Sequence, residues 1–80
     1  MPNPSHLRQS PELVSLGSAI RALRQAAGMS QEELAHLAEV DRSYLGRVER
    51  GDNNVAIMTL CRIAQALHVS GAQLLHLAQL

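Results

Sequence analysis

The sequence predicts an all-α domain of five helices, and three observations carry that expectation. Leucine and alanine dominate the apolar residues, 13 and 11 of the 80, and both favour helix. The β-branched residues are scattered, without the period-two alternation that marks a strand. Helix start and stop signals recur along the chain at Ser10-Pro11-Glu12, Ser30, Asp41, Gly51 and Ser70. There is one Tyr and no Phe or Trp, so the core must be aliphatic, and 80 residues are close to the minimum that one core can stabilise.

Residues 1–10 contain Pro2, Pro4 and mostly polar groups, too little apolar material to pack, and are expected to form a flexible arm whose Arg8 could reach a ligand. Residues 11–80 form the domain. Ser10 as N-cap and Pro11 at the first helical position open a helix with Leu13, Leu16, Ile20, Leu23 and Ala27 on one stripe, stopped by Gly28. Ser30 and Glu33 form a capping box for a second helix, with Leu34, Leu37 and Ala38 on one face and Ala35 small enough to admit another backbone. Asp41 is placed to cap a third helix from Arg42 to about Arg50, with Leu45 and Val48 inward and Gly51 as its left-handed stop. A polar turn leads to a fourth helix with Ile57, Leu60, Ile63, Ala64 and Leu67 inward, and Ser70 caps a fifth, G-A-Q-L-L-H-L-A-Q-L.

The functional signal lies between Ser30 and Gly51, where two short amphipathic helices are joined by a turn of two or three residues and the second carries three arginines. Ser43, Arg47 and Arg50 follow i, i+4, i+7 spacing and share one outward line, with Arg42 beside them at the end that would enter a groove first. A guanidinium can donate to guanine O6 and N7 together or pair with a phosphate, and one good bidentate base contact discriminates by about 1 to 3 kcal/mol. Gly46 removes bulk where a duplex could approach. The competing reading is a solvated helix face, but the caps, short turn and glycine stop favour a helix presented to DNA.

Three blocks then carry a resemblance: I-R-A-L-R-Q-A-A-G-M-S-Q-E-E-L-A, D-R-S-Y-L-G-R-V-E-R-G and L-C-R-I-A-Q-A-L-H-V-S. In this order and spacing, residues 17–70 resemble the phage repressor and Cro type helix-turn-helix family, also called XRE, with its five-helix lambda repressor-like fold. The resemblance implies dimeric operator binding, base contacts from Arg42, Ser43 and Arg47, and backbone contacts from Gln31 and Tyr44, with Arg50 a further phosphate candidate. It also implies an ion pair between Arg24 and Glu49 that locks the first helix to the third. Glu39 departs from the family pattern by standing where the turn often has Gly, and Ala56 by replacing a frequent Ser cap, so Asn53 or Asn54 is expected to cap the fourth helix instead. No lysine lies on the outward face. The N-N-V-A-I run is similar to small controller proteins of restriction-modification systems, which makes self-regulation the expected mode.

Charge and the remaining residues narrow the reading. Seven arginines balance seven acids, yet residues 31–41 hold four acids and no base while residues 42–50 hold three arginines against Glu49. Modest non-specific affinity with a shallow salt dependence follows, and a dimer would be needed for useful specificity. Cys61 reads as a small helical filler, and His6, His36, His68 and His76 lack metal-ligand spacing, so no metal or cofactor is expected. No phosphate loop or nucleophile constellation suggests an enzyme, and no small-molecule ligand is expected. No run approaches the 18 or so apolar residues that span a bilayer and no export signal appears, so a cytoplasmic location without membrane association is expected.

In the fifth helix Leu74, Leu75, Leu77, Ala78 and Leu80 spread over roughly 220°, more than the stripe of about 100° that one core needs. The surplus predicts a homodimer through Leu74, Leu75, Leu77 and Leu80, with recognition helices about 34 Å apart on a palindromic operator in double-stranded DNA. With no room for a separate sensor, regulation would act through dimer concentration or a partner. The rival reading is a protein-interaction module, an antitoxin or adaptor, on the same fold.

Overall fold

The computed structural model describes residues 8–80, and these form five helices and no strand: α1 (Pro11–Ala26), α2 (Gln31–Ala38), α3 (Arg42–Arg50), α4 (Ile57–Ala66) and α5 (Gly71–Leu77). Each start has the extended backbone of an N-cap. Ser10 Oγ accepts from the Leu13 amide at 3.3 Å. Ser30 Oγ accepts from the Glu33 amide at 3.0 Å while the Glu33 carboxylate accepts from the Ser30 amide at 2.9 Å, and Ser70 and Gln73 repeat the same reciprocal box.

All five helices also stop in the same way. A residue with left-handed φ follows each C-terminus: Gly28, Glu39, Gly51, His68 and Gln79, with φ between 60° and 82°. In each case the next amide reaches back five residues, as Val40 to the Ala35 carbonyl at 2.9 Å and Leu80 to the Leu75 carbonyl at 2.9 Å, closing a Schellman motif that satisfies the last carbonyls. Glycine serves only two of these positions.

Ile20, Leu34, Leu45, Val48, Ile63 and Leu74 are wholly buried, one or two from each helix. Helix α1 packs on α3, α2 on both α3 and α4, and α5 closes against α1 and α4. The α1–α3 approach is closest at Gly17, where a Cβ would lie on the Val48 carbonyl oxygen and 2.5 Å from that of Glu49.

Several expectations are corrected. Leu37 is 56 % exposed, because Leu34, Ala35 and Ala38 fill the wedge between α3 and α4 and Leu37 projects about 100° from their centre. Ala27 is exposed because α1 has already ended, and Arg24 takes the inward position instead. Ile57 is 64 % exposed: it shares the stripe of Leu60 and Ala64, but as the first residue of α4 it lies at the end of that stripe, past the buried core. Neither Asn53 nor Asn54 caps α4: the N-cap is Ala56, with no side-chain bond, and Asp41 occupies the α3 cap position without bonding through its carboxylate.

Leu74, expected at a dimer interface, is wholly buried in the subunit's own core, and Ala78 follows it inward. Leu77 and Leu80 remain about half exposed and Leu75 half-buried, with Leu80 beyond the helix because Gln79 turns left-handed. The expected arm lies outside the described residues for 1–7. Its remainder, 8–10, is fastened rather than loose: the Gln9 amide donates to the Gly51 carbonyl at 2.6 Å.

Candidate nucleic-acid interface

Helices α2 and α3 meet through a turn formed by residues 39–41, which the left-handed Glu39 makes possible. On α3, Leu45, Val48 and Glu49 face inward and Gly46 is buried beneath the side chains of Arg50 and Gln31, whereas Ser43, Arg47 and Arg50 are exposed on the far side with Arg42 exposed beside them. Tyr44 is half-buried and lines a shallow groove with Glu39, Val40, Asp41, Arg47 and Thr59, and its ring lies 5.9 Å below the Arg47 guanidinium. That separation permits a cation–π attraction and keeps Arg47 over the helix surface.

What holds this rod in place is a polar chain running from the core to the surface. Arg24 on α1 grips Glu49 on α3 in a fork, Nε to Oε2 at 2.7 Å and NH2 to Oε1 at 3.0 Å, and its remaining NH1 donates to the Met29 carbonyl at 2.9 Å. Gln31, the first residue of α2, donates from Nε2 to Glu49 Oε1 at 2.9 Å, and its Oε1 accepts from Arg42 at 3.4 Å. Three helices are thus tied to one carboxylate whose side chain is 3 % exposed. Among the described residues no buried side-chain nitrogen or oxygen lacks a partner. The geometry expected for Arg24 and Glu49 is therefore present, with Gln31 as a third member.

Gly46 departs from its expected place on the outer surface. It is buried, and a Cβ there would lie 3.4 Å from Arg50 NH1 and 3.8 Å from Gln31 Oε1. Arg50 is not extended from the helix end: its Nε donates to Asp52 Oδ2 at 3.2 Å. Asp52 also accepts from Gln9 Nε2 at 2.6 Å and lies 3.7 Å from Arg8. The Gln9 hydrogen bond, and after it the Arg50 one, hold the Asp52 carboxyl below the usual range.

Sequence reasoning missed Gly17, Gln9, Asp52 and Arg62, whose Nε donates to the Ala38 carbonyl at 3.1 Å at the end of α2. Gly17 had a legible signal, since glycine inside a helix costs stability and implies a close approach. Gln9 and Arg62 bond parts of the chain far away in sequence, and Asp52 joins its local partner Arg50 to the distant Gln9, a combination that nothing local marks.

Comparison with known proteins agrees with this geometry. A helix-turn-helix family model matches residues 20–74, more than half of the chain. Control protein C.SmaI of Serratia marcescens is 40 % identical over 60 residues, 75 % of this chain and 71 % of its own. Control protein C.BamHI of Bacillus amyloliquefaciens is 37 % identical over 60 residues, 74 % of each chain. The crystal structure of the restriction-modification controller protein C.AhdI from Aeromonas hydrophila superposes with a TM-score of 0.80 at 45 % identity, covering 81 % of this chain and 98 % of that one. Regulators rather than enzymes make up this family. The chain belongs to the helix-turn-helix family of XRE type, and is a transcriptional regulator with a helix-turn-helix DNA-binding domain.

Proposed function

We propose that this regulator binds a palindromic operator in double-stranded DNA as a homodimer, in the cytoplasm, without enzymatic activity or a small-molecule ligand. Residues 11–80 serve as the binding domain, with α5 as its dimerisation helix. Arg42, Ser43 and Arg47 read base edges, while Gln31, Tyr44 and Arg50 contact the backbone. The observation that carries this reading is the exposed row Arg42, Ser43, Arg47 and Arg50 on a rod held to α1 and α2 by the bonds of Arg24 and Gln31 to Glu49. Pre-organisation matters because a side chain already oriented loses less entropy on docking.

Leu75, Leu77 and Leu80 supply the dimer face, and two subunits would set the row into successive turns of one groove face, about 34 Å apart. The three relatives described above support a narrower form, a controller of the restriction-modification kind. Selection of bound sites from random duplexes tests the proposal. A two-fold symmetric consensus, lost with the Arg42→Ala plus Arg47→Ala variant, is the expected result. Binding and regulation unchanged in that variant, together with loss on Leu75→Asp plus Leu77→Asp, would instead identify a protein-interaction module.

A further inference from the structure

Asp52 is an acid on the edge of a surface that would meet a polyanion, and simple electrostatics assigns it only a cost. Its surroundings argue otherwise. The carboxylate is 15 % exposed and lies between two guanidiniums that are about 60 % exposed, those of Arg50 and Arg8. Gln9 holds it firmly: the Gln9 side-chain amide donates to Asp52 Oδ1 at 2.6 Å and to the Arg50 carbonyl at 2.9 Å, and its backbone amide donates to the Gly51 carbonyl at 2.6 Å. Gln9 adopts a φ of 61° to make these bonds, so the bracket is built from backbone as well as side chain. Two guanidiniums around one carboxylate leave the cluster net positive, and attraction for phosphate survives.

We propose that Asp52 is a positioning residue for DNA binding: it grips Arg50 through Nε and lays the guanidinium back over Gly46, so that its terminal nitrogens converge with Gln31 on one backbone phosphate. The inference rests on the DNA-binding reading above. Asp52 uses only Nε of Arg50, and the fork has further donors on NH1 and NH2. Arg50 NH1 and Gln31 Nε2, whose second N–H is not used by Glu49, both lie within 4 Å of the point where a Cβ on Gly46 would stand, so donors of the two phosphate candidates meet over the one residue of α3 that has no side chain. Asp52 is ionised at neutral pH as any carboxylate of ordinary 3.8 is, and the Gln9 and Arg50 hydrogen bonds lower its pKa further.

Titration of a fluorescent operator duplex, obtained by the selection described above, distinguishes positioning from repulsion because the two have opposite signs. Asp52→Asn adds a unit of positive charge, yet is expected to bind about three- to tenfold more weakly, the scale of one ordinary hydrogen bond, as suits a solvent-exposed guanidinium. Arg50→Ala is expected to cost less in the Asp52→Asn background than in the wild type. Arg50→Lys leaves Asp52 and the net charge in place but removes the Nε grip, and is expected to lose as much affinity as Asp52→Asn. Wild-type or tighter binding by Asp52→Asn, an equal cost of Arg50→Ala in both backgrounds, or full affinity in Arg50→Lys overturns the proposal. A wild-type chain that yields no bound duplex overturns the DNA-binding reading itself, and this inference with it.

Discussion

Glu49 carries a charge at 8 % exposure, and donors from two other helices make that burial tolerable. Removing either partner of such a pair leaves an uncompensated charge in the interior. Arg24→Ala or Glu49→Ala is accordingly expected to cost about 3 kcal/mol, read as a lower midpoint in urea denaturation. Gly17 is equally unforgiving for a steric reason, because the obstacle to a Cβ is the backbone of α3 and not a flexible side chain. Gly17→Ala should destabilise by about 2 kcal/mol or more despite the higher helix propensity of alanine, and a melting temperature that rises would refute this. The outward positions of Arg42, Ser43, Arg47 and Arg50 were readable from spacing alone, since a nine-residue helix with Leu45 and Val48 inward leaves them no other face. The tether from Gln31 to Glu49 was not, because it joins residues 18 apart.

At the level of elements, the caps were legible because they are local. Ser10, Ser30 and Ser70 bond amides three residues ahead, and that chemistry needs no knowledge of the fold. Their opposite ends hold unused stability. Glu39 and His68 sit at left-handed stops where a Cβ costs roughly 1 kcal/mol, so Glu39→Gly and His68→Gly should each raise stability by about 0.5 to 1 kcal/mol. Calorimetry of the single and double variants, with additive gains, would bear this out. Glu33 shows how a cap couples to pH: the backbone hydrogen bond from Ser30, then the Ser30 hydroxyl, depress its pKa. A carboxyl depressed in the folded state stabilises above its unfolded pKa, and that contribution disappears as pH falls through the lower folded value. The same sign holds for Asp52. Stability should therefore decline as pH drops below the ordinary 4.5 and 3.8 of these groups, and Glu33→Gln should flatten the acid limb of a melting temperature against pH curve.

For the whole molecule, the question is where surplus apolar surface goes. Leu77 and Leu80 are 54 % and 53 % exposed at the end of the chain, while Leu74 and Ala78 from the same segment close the core over α1 and α4. Substituting Leu77→Asp plus Leu80→Asp should thus yield monomers without unfolding, which sedimentation equilibrium alongside circular dichroism can establish. Leu74→Asp is expected to unfold the chain instead. A dimer that persists in the first variant would place the interface elsewhere, and the exposed Ile57 and Met58 at the start of α4 would be the next residues to substitute.

By itself the sequence determined the number and order of the helices, the starts capped by Ser10, Ser30 and Ser70, and which side of α3 carries the arginines, because caps and periodicity act within a few residues. Tertiary structure alone decided which leucines are interior. Leu37 and Leu74 have the same chemistry, yet one is exposed and one is wholly buried, since burial depends on which neighbour lies across the helix and not on the helix's own repeat. It also decided the environment of the acids: Glu49 became the anchor of three helices, and Asp52 gained Gln9 beside its local partner Arg50, only when distant segments were brought within hydrogen-bonding range.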